Sequence, residues 1–355
     1  MTDRPEMHGN STQETEDATL ARSICGVALA LCSALIVVLA LGASRWIGQT
    51  FPGFFLLGNR VVASIAAPGW DVARDGGLFQ GVVVAVDGRP VRETSDVYDH
   101  VSQRPVGAPV RYELRRGTAA TAVTLQAATF TARDYAMIFG SYLVTAGLYF
   151  ALALLAVAFR FDDPVGRAIL LVGAIGGMYA VSAVGIYDAD ADGRFHALCE
   201  ALFPATLLQL AVAFRPVATR LERTVLRMGW CVALALAFVY ELVLDQPGAY
   251  SAVHAACEAT MGFAGLVLIG VLLLDEPKPL GSTDPLRRGA TIGATLGLGV
   301  PGVVMLVSGL SGGALPVNVA TATAFLFPLC LGWELARGPR RVGQLSFGYA
   351  TPAPR

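Results

Sequence analysis

Runs of roughly 20 mostly apolar residues recur along the chain, and a run of that length is what an α-helix needs to cross a hydrocarbon core about 30 Å thick. Eight stretches qualify as candidate spans: 22–43, 135–159, 168–187, 196–214, 228–245, 253–274, 290–310 and 319–336. Composition agrees, because 54% of the 355 residues are hydrophobic and only 15% are charged. That balance is too apolar for a soluble protein of this length. Pro204, Pro301 and Pro328 fall inside the spans, where neighbouring helices can satisfy the carbonyls they release.

The arginines set an expected orientation. With the N-terminus inside, the inner loops hold Arg160 and Arg167, then Arg215, Arg220, Arg223 and Arg227, then Lys278, Arg287 and Arg288, and finally Arg337, Arg340 and Arg341. The short outer loops hold only Arg194, the asymmetry that positive charge on the cytoplasmic side predicts. Both termini are therefore expected in the cytoplasm, with the segment between the first two spans outside. Residues 1–21 are read as a disordered tail, 22–43 as an uncleaved first helix, 44–133 as an exported soluble insert with its linkers, 134–336 as a seven-helix bundle and 337–355 as a second tail. A cleaved signal peptide is the alternative for the first span. Its apolar stretch is longer than a usual signal core, and Leu41 and Ala43 make a poor cleavage site. Cys25, Cys32, Cys199, Cys231, Cys257 and Cys330 all lie in candidate spans, so no disulfide is expected to hold the insert together.

Between the first two spans the pattern changes to short alternating runs. Val61 to Ile65 reads as a strand, Gly76 to Leu78 as a turn, Val82 to Val86 as a buried strand and Asp87-Gly88 as a tight turn. Ser95 is a candidate N-cap for a short helix from Asp96 to Ser102, with Val97 and Val101 on one face. Val110, Tyr112 and Leu114 alternate with charged residues in a half-buried strand, and Gly117 turns the chain into a partner strand with Val123 and Leu125 inward.

The run from Gly77 to Val91 (GLFQGVVVAVDGRPV) resembles the PDZ domains of bacterial periplasmic serine proteases, although the Asp usual after Gly81 is here Val82. The expected fold is thus a polytopic α-helical membrane protein of about eight spans with an inserted small α+β PDZ-like domain. The resemblance implies that an extended peptide or protein segment adds as a strand beside the helix, with Val61, Val62, Ala63, Asp96, Val97, His100 and Val101 lining the groove. The alternative is a groove filled by the chain itself, by Phe51 to Leu57. The apolar residues Phe54, Phe55, Leu56 and Leu57 are too few to cross a bilayer, and are expected on its surface or as a cap on the domain.

In the bundle, His196-Ala-Leu-Cys199-Glu200 opens one span and His254-Ala-Ala-Cys257-Glu258 opens another. Residues at i, i+3 and i+4 share a helical face, and the repeated string suggests a parallel duplication. With Glu241, and with Tyr179 and Tyr187 within reach, these residues form a candidate intramembrane polar cluster: His196, Cys199, Glu200, Glu241, His254, Cys257 and Glu258. Imidazole and thiolate suit Zn or Cu, so His196, Cys199, Glu200, His254, Cys257 and Glu258 are candidate metal ligands. Proton sensing by histidine is a second reading. A third has each histidine hydrogen-bonded to the Glu one turn below it, with the cysteines as small packing residues.

The stretch from Leu207 to Pro216 (LLQLAVAFRP) resembles the membrane sensor modules of multi-span bacterial histidine kinases of the competence type. These share the layout of one helix, an external PDZ-like domain and a helical bundle. A histidine usual there is Gln209, and no kinase phosphoacceptor helix or ATP lid follows Glu334. Protease motifs are incomplete as well. The His-Glu-x-x-His of site-2 metalloproteases is absent, and Gly309-Leu310-Ser311-Gly312, similar to the rhomboid serine motif, has no histidine after it. Lys278 is the single lysine, which leaves no phosphate-binding loop, and nothing points to nucleic acid.

The expected function is a non-enzymatic sensor or scaffold in contact with membrane lipid. It would meet a peptide or protein outside and act on a separate cytoplasmic signalling partner. The alternatives are a metal-binding or transport protein and a non-catalytic adaptor for a protease.

Overall fold

The computed structural model describes residues 10–73, 76–188, 193–215, 218–274, 284–313, 315–318 and 322–345, with side chains described from Thr19 to Arg337. The chain enters as one long helix, α1 (Asn10–Ala43). It then builds a small α+β domain from β1 (Thr50–Phe51), β2 (Val82–Val86), β3 (Arg89–Pro90), α2 (Thr94–Ser102), β4 (Pro109–Arg116), β5 (Ala119–Gln126) and β6 (Ala128–Thr129). A short helix α3 (Ala132–Tyr135) continues through a wide turn at Ala136–Gly140 into α4 (Ser141–Arg160). The bundle then adds α5 (Pro164–Gly185), α6 (Arg194–Ala213), α7 (Arg220–Val243), α8 (Pro247–Leu274), α9 (Pro285–Leu310) and a last helix, α10 (Leu326–Leu345).

Among the described residues, seven helices are long and apolar enough to cross a membrane: α1, the α3–α4 unit, and α5 to α9. The architecture is that of a polytopic helical membrane protein. Three of the helices start on side-chain caps placed by the sequence. Asp163 Oδ1 accepts from Val165 N, Asp284 Oδ1 accepts from Leu286 N, and Thr219 forms a capping box with Glu222. In the first two, Pro164 and Pro285 occupy an N-terminal position where no N–H is needed. Gly262 and Gly309 let α8 and α9 meet backbone to backbone, since a Cβ on Gly309 would collide with the Ala255 carbonyl.

The eighth expected span, 319–336, is corrected. The chain turns at 322–325, and α10 begins only at Leu326, opposite the middle of α9, where a Cβ on Gly297 would strike Phe327. Pro328 therefore sits in a first turn, where its missing N–H costs nothing. The apolar part of α10, from Leu326 to Ala336, is about 16 Å long, half a hydrocarbon core. Residues 319–321 lie outside the described set. At the other end, helix α1 already runs at Asn10, so residues 10–21, expected to be disordered, are helical in the structure. Residues 1–9 and 346–355 of the expected tails, and Lys278, lie outside the described residues.

Segments at the ends of α7 and α9 meet the α+β domain. Val317 N donates to Ser64 O, the Asn318 side chain bonds both to Ala66 N and to Ala66 O, and Ser64 Oγ donates to Gly313 O. Arg116 reaches Gly312 O, and Asn59 Nδ2 donates to Leu244 O. Arg160, Arg167, Arg215, Arg220 and Arg287 lie at the opposite ends of the helices.

The domain's sheet has the order β3-β2-β4-β5, antiparallel throughout. The β2–β3 hairpin turns on Asp87 and Gly88, both at positive φ (47° and 77°), the combination a two-residue primed turn requires. Two local expectations are corrected. Val61 to Ile65 is not a regular strand: Val61 bridges Val82, and Val62 bridges Leu56. Ser95 does not cap the helix. Glu93 is the N-cap, in a capping box closed by Asp96.

Domain and bundle share one core. Phe51, Phe54, Phe55, Leu56, Val61, Val62 and Phe130 belong to the same buried cluster as Phe139, Tyr142, Tyr187, Tyr240, Tyr250 and Cys257. Phe55 stacks on Tyr187 at 5.0 Å between centroids and packs edge-on against Trp46, Trp70 and Phe130.

Candidate functional site

The groove beside α2 is occupied by the chain itself. Leu56 pairs antiparallel with Val62, with Leu57 N donating to Val61 O and Ala63 N donating to Phe55 O (2.9 Å each). On its other edge, the 60–62 segment pairs with β2 and the turn before it, through Val62 N to Gly81 O and Val83 N to Arg60 O. Helix α2 holds the inserted segment in place: Leu56 N donates to Tyr98 Oη (2.8 Å), and Thr94 Oγ1 donates to Leu57 O (2.7 Å). Of the expected groove residues, Val61, Val62, Ala63, Val97 and Val101 are buried. Phe54, Phe55, Leu56 and Leu57 lie in the core, not along a bilayer surface.

The other two expected groove residues are engaged in local structure. Asp96 Oδ2 accepts from Arg92 N and Glu93 N, and these two backbone N–H groups hold its carboxyl below the usual range. His100 Nε2 lies 2.8 Å from Asp87 Oδ2, where Arg104 also donates, while Asp87 Oδ1 accepts from Arg111 N. The Arg111 N–H first, and then His100, hold the Asp87 carboxyl below its ordinary value. The hairpin turn is thus pinned to α2 and β4.

A buried polar cluster lies in the bundle, next to Tyr240, Tyr250 and Cys257 of the core that the inserted segment shares. Glu200 on α6 and Glu258 on α8 are both 1% exposed, and His254 sits between them. His254 Nδ1 is 3.0 Å from Glu200 Oε1 and 2.9 Å from Tyr240 Oη, while Nε2 is 3.4 Å from Glu258 Oε1. Tyr240 on α7 donates to Glu200 Oε2 at 2.7 Å, and Tyr250 stacks on the imidazole. Because the Tyr240 proton goes to Glu200, the Tyr240 oxygen is free to accept from His254 Nδ1 in the tautomer that carries a proton there. Neither Glu258 oxygen, nor Glu200 Oε1, meets hydrogen-bond geometry with a partner among the described residues, so their contacts with His254 are ion-pair approaches. Two carboxyls thus stand around one imidazole at a depth where unbalanced charge is costly.

The sequence reading placed seven residues here, and the structure brings together Glu200, His254 and Glu258, with Cys257 fully buried in the same core. His196 turns towards α5, where Ser182 Oγ lies 2.9 Å from its Nδ1 and Tyr179 stacks on its ring at 5.0 Å. Cys199 is buried. Glu241 is exposed and pairs with Arg194, because neighbouring helical residues point about 100° apart and its neighbour Tyr240 takes the interior direction. Tyr187 packs on Phe55 rather than joining the cluster. The described residues contain no group of three or more His, Cys, Asp or Glu side chains arranged to hold a metal ion.

Tyr240 and Tyr250 are the members that sequence reasoning missed, and one signal for Tyr240 was present. His196 meets a hydroxyl fourteen residues earlier, at Ser182, and His254 meets one fourteen residues earlier, at Tyr240. The two helix pairs α5–α6 and α7–α8 therefore repeat a polar contact as well as a five-residue string. Comparisons with protein-family models, with curated proteins and with solved structures find no significant match for this chain.

Proposed function

We propose that this protein is a bacterial inner-membrane sensor or scaffold whose external PDZ-like domain is held closed by its own chain and relays groove opening into the bundle. A peptide or protein segment outside competes with residues 54–57 for the edge at Val61 to Ala63. Its release withdraws Phe55 from Tyr187, and the helices carrying Tyr240, Glu200 and His254 repack towards the Arg-rich cytoplasmic ends, where a separate signalling partner is met. The ligand must favour the open state for this to work, since binding shifts an equilibrium only by differential affinity.

The observation that carries the reading is the shared core. The segment that fills the groove packs, without a break, against the helices that hold the buried cluster. No observation favours the metal-handling alternative over this one.

The test compares the full chain in nanodiscs, with the groove free and with Leu56→Cys joined to Val62→Cys by a disulfide. Hydrogen exchange is followed at the start of α7 (Arg220 to Arg227). The expected result is several-fold slower exchange there when the groove is locked. Identical exchange in both forms would overturn the relay.

A further inference from the structure

The buried cluster sets one basic side chain against two acidic ones. Glu200 and Glu258 are each 1% exposed, and His254 stands between them. The other histidine of this layer, His196 on α6, is turned towards Ser182 Oγ on α5. Arg194 pairs with Glu241 and Asp245 at the exposed end of α6. Helix α9, whose Gly309 meets the α8 backbone at Ala255, has no charged residue over 290–310. The remaining titratable neighbours are Tyr250 and Cys257 on α8, Tyr240 on α7 and Tyr179 on α5, and none of these supplies a positive charge. Even with His254 as the imidazolium, two ionised carboxyls would therefore leave one negative charge unbalanced within the spanning helices. A charge so placed is costly, and such a group neutralises instead.

The contacts of the two carboxyls decide which one takes the proton. Tyr240 Oη donates to Glu200 Oε2 at 2.7 Å, and His254 Nδ1 approaches Glu200 Oε1 at 3.0 Å. Glu258 has only His254 Nε2, at 3.4 Å, and neither of its oxygens meets hydrogen-bond geometry with a described residue. Donors stabilise the ionised form of a carboxyl, so the charge belongs on Glu200 and the proton on Glu258. A metal ion is a poorer occupant, because the described side chains are not arranged to hold one, whereas a proton needs a single oxygen.

Tyr240 also connects the cluster to the outside of the bundle. Besides touching Glu200 and His254, it lines an open cleft between α6 and α7, together with Arg194, Glu241 and Leu244. Those residues lie at the domain-side ends of the two helices, where Leu244 O accepts from Asn59 of the domain. At about 520 Å³ the cleft has room for several waters of about 30 Å³ each.

We infer that Glu258 is a proton-binding site: it carries a proton at neutral pH while Glu200 and His254 remain an ion pair, and that proton exchanges with the domain-side cleft by way of Tyr240. The inference stands whether or not the groove opens.

The test is infrared spectroscopy of the full-length protein in nanodiscs at neutral pH, where exposed carboxyls are ionised and only a buried neutral acid gives the carbonyl band of a protonated carboxyl. The parent protein should show that band. It should vanish in Glu258→Gln and persist at a shifted position in Glu258→Asp. In Tyr240→Phe the band should keep its position, while its isotope shift after transfer to D2O develops at least tenfold more slowly. Absence of the band from the parent protein, a reading that needs no variant, would overturn the site, as would its survival in Glu258→Gln. A band that Glu258→Asp leaves in place, or that Tyr240→Phe moves, would put the proton on Glu200 and overturn the assignment. An unchanged exchange rate in Tyr240→Phe would overturn the route through the cleft.

Discussion

Removing one hydroxyl should open the groove by a calculable amount. Tyr98 Oη is the acceptor for Leu56 N at 2.8 Å, and Leu56 is wholly buried. Tyr98→Phe keeps the ring and its edge-on contact with Trp46 but leaves a buried N–H without a partner, which costs about 1–3 kcal/mol. The cost falls on the closed state alone, because the released segment would give its N–H to water. At 1.4 kcal/mol per factor of ten, the open population should rise roughly 5- to 150-fold.

Native-state hydrogen exchange reads this directly. The amides of Leu57 and Ala63 close the pairing between the two segments, so their exchange should accelerate by that factor, whereas amides in the β4–β5 ladder should not change. Local opening of this kind is distinct from global unfolding. Rates at Leu57 and Ala63 within twofold of the parent protein, or an equal acceleration at β4 and β5, would refute the reasoning.

Three further outcomes follow from the same geometry. Phe55→Ala removes a fully buried ring that touches both domain and bundle, and should cost about 3–5 kcal/mol, read as a lowered midpoint in thermal or denaturant unfolding; a loss below about 1 kcal/mol would show that the two parts do not share a core. Glu200→Gln should destabilise by about 3–5 kcal/mol, because it strips His254 and Tyr240 of a charged partner. Glu258→Gln should cost less than half as much, since its single contact is longer, and the reverse order in unfolding measurements would contradict the assigned roles. Asp87→Asn should cost about 1–3 kcal/mol at neutral pH. The Asp87 carboxyl is held low by Arg111 N–H and His100, so its contribution is present above the unfolded value near 3.8 and is lost as pH falls through the lower folded value. The gap between parent and variant should therefore close in that acid window, and a gap that widens there would be inconsistent with the assignment.

The membrane-spanning class was legible because a bilayer imposes a length on apolar runs, and seven of the eight expected spans have counterparts among the helices. The eighth was misread because hydropathy cannot tell a continuous helix from a broken one. Pro328, taken as an interior residue, lies in a first turn. In the domain, the Asp87-Gly88 turn and the inward Val110, Tyr112 and Leu114 were readable from local pattern. That Phe54 to Leu57 would fill the groove was only one of two readings, since the choice depends on Tyr98 and Thr94, some forty residues away.

The cluster shows the same limit. Spacing put His254 and Glu258 on one face, but which way each side chain turns was decided by partners on other helices. Ser182 drew His196 aside, Arg194 drew Glu241 outward, and Tyr240 supplied the hydroxyl between Glu200 and His254.

The self-filled groove is tested most directly by covalent capture. Leu56 and Val62 are opposed across a non-hydrogen-bonded antiparallel pair, where α-carbons stand about 4.5 Å apart, within the reach of a disulfide. With the six native cysteines replaced by alanine, Leu56→Cys combined with Val62→Cys should oxidise to a near-quantitative intramolecular disulfide in the membrane-embedded protein. Persistently free thiols under the same oxidising conditions would contradict the account.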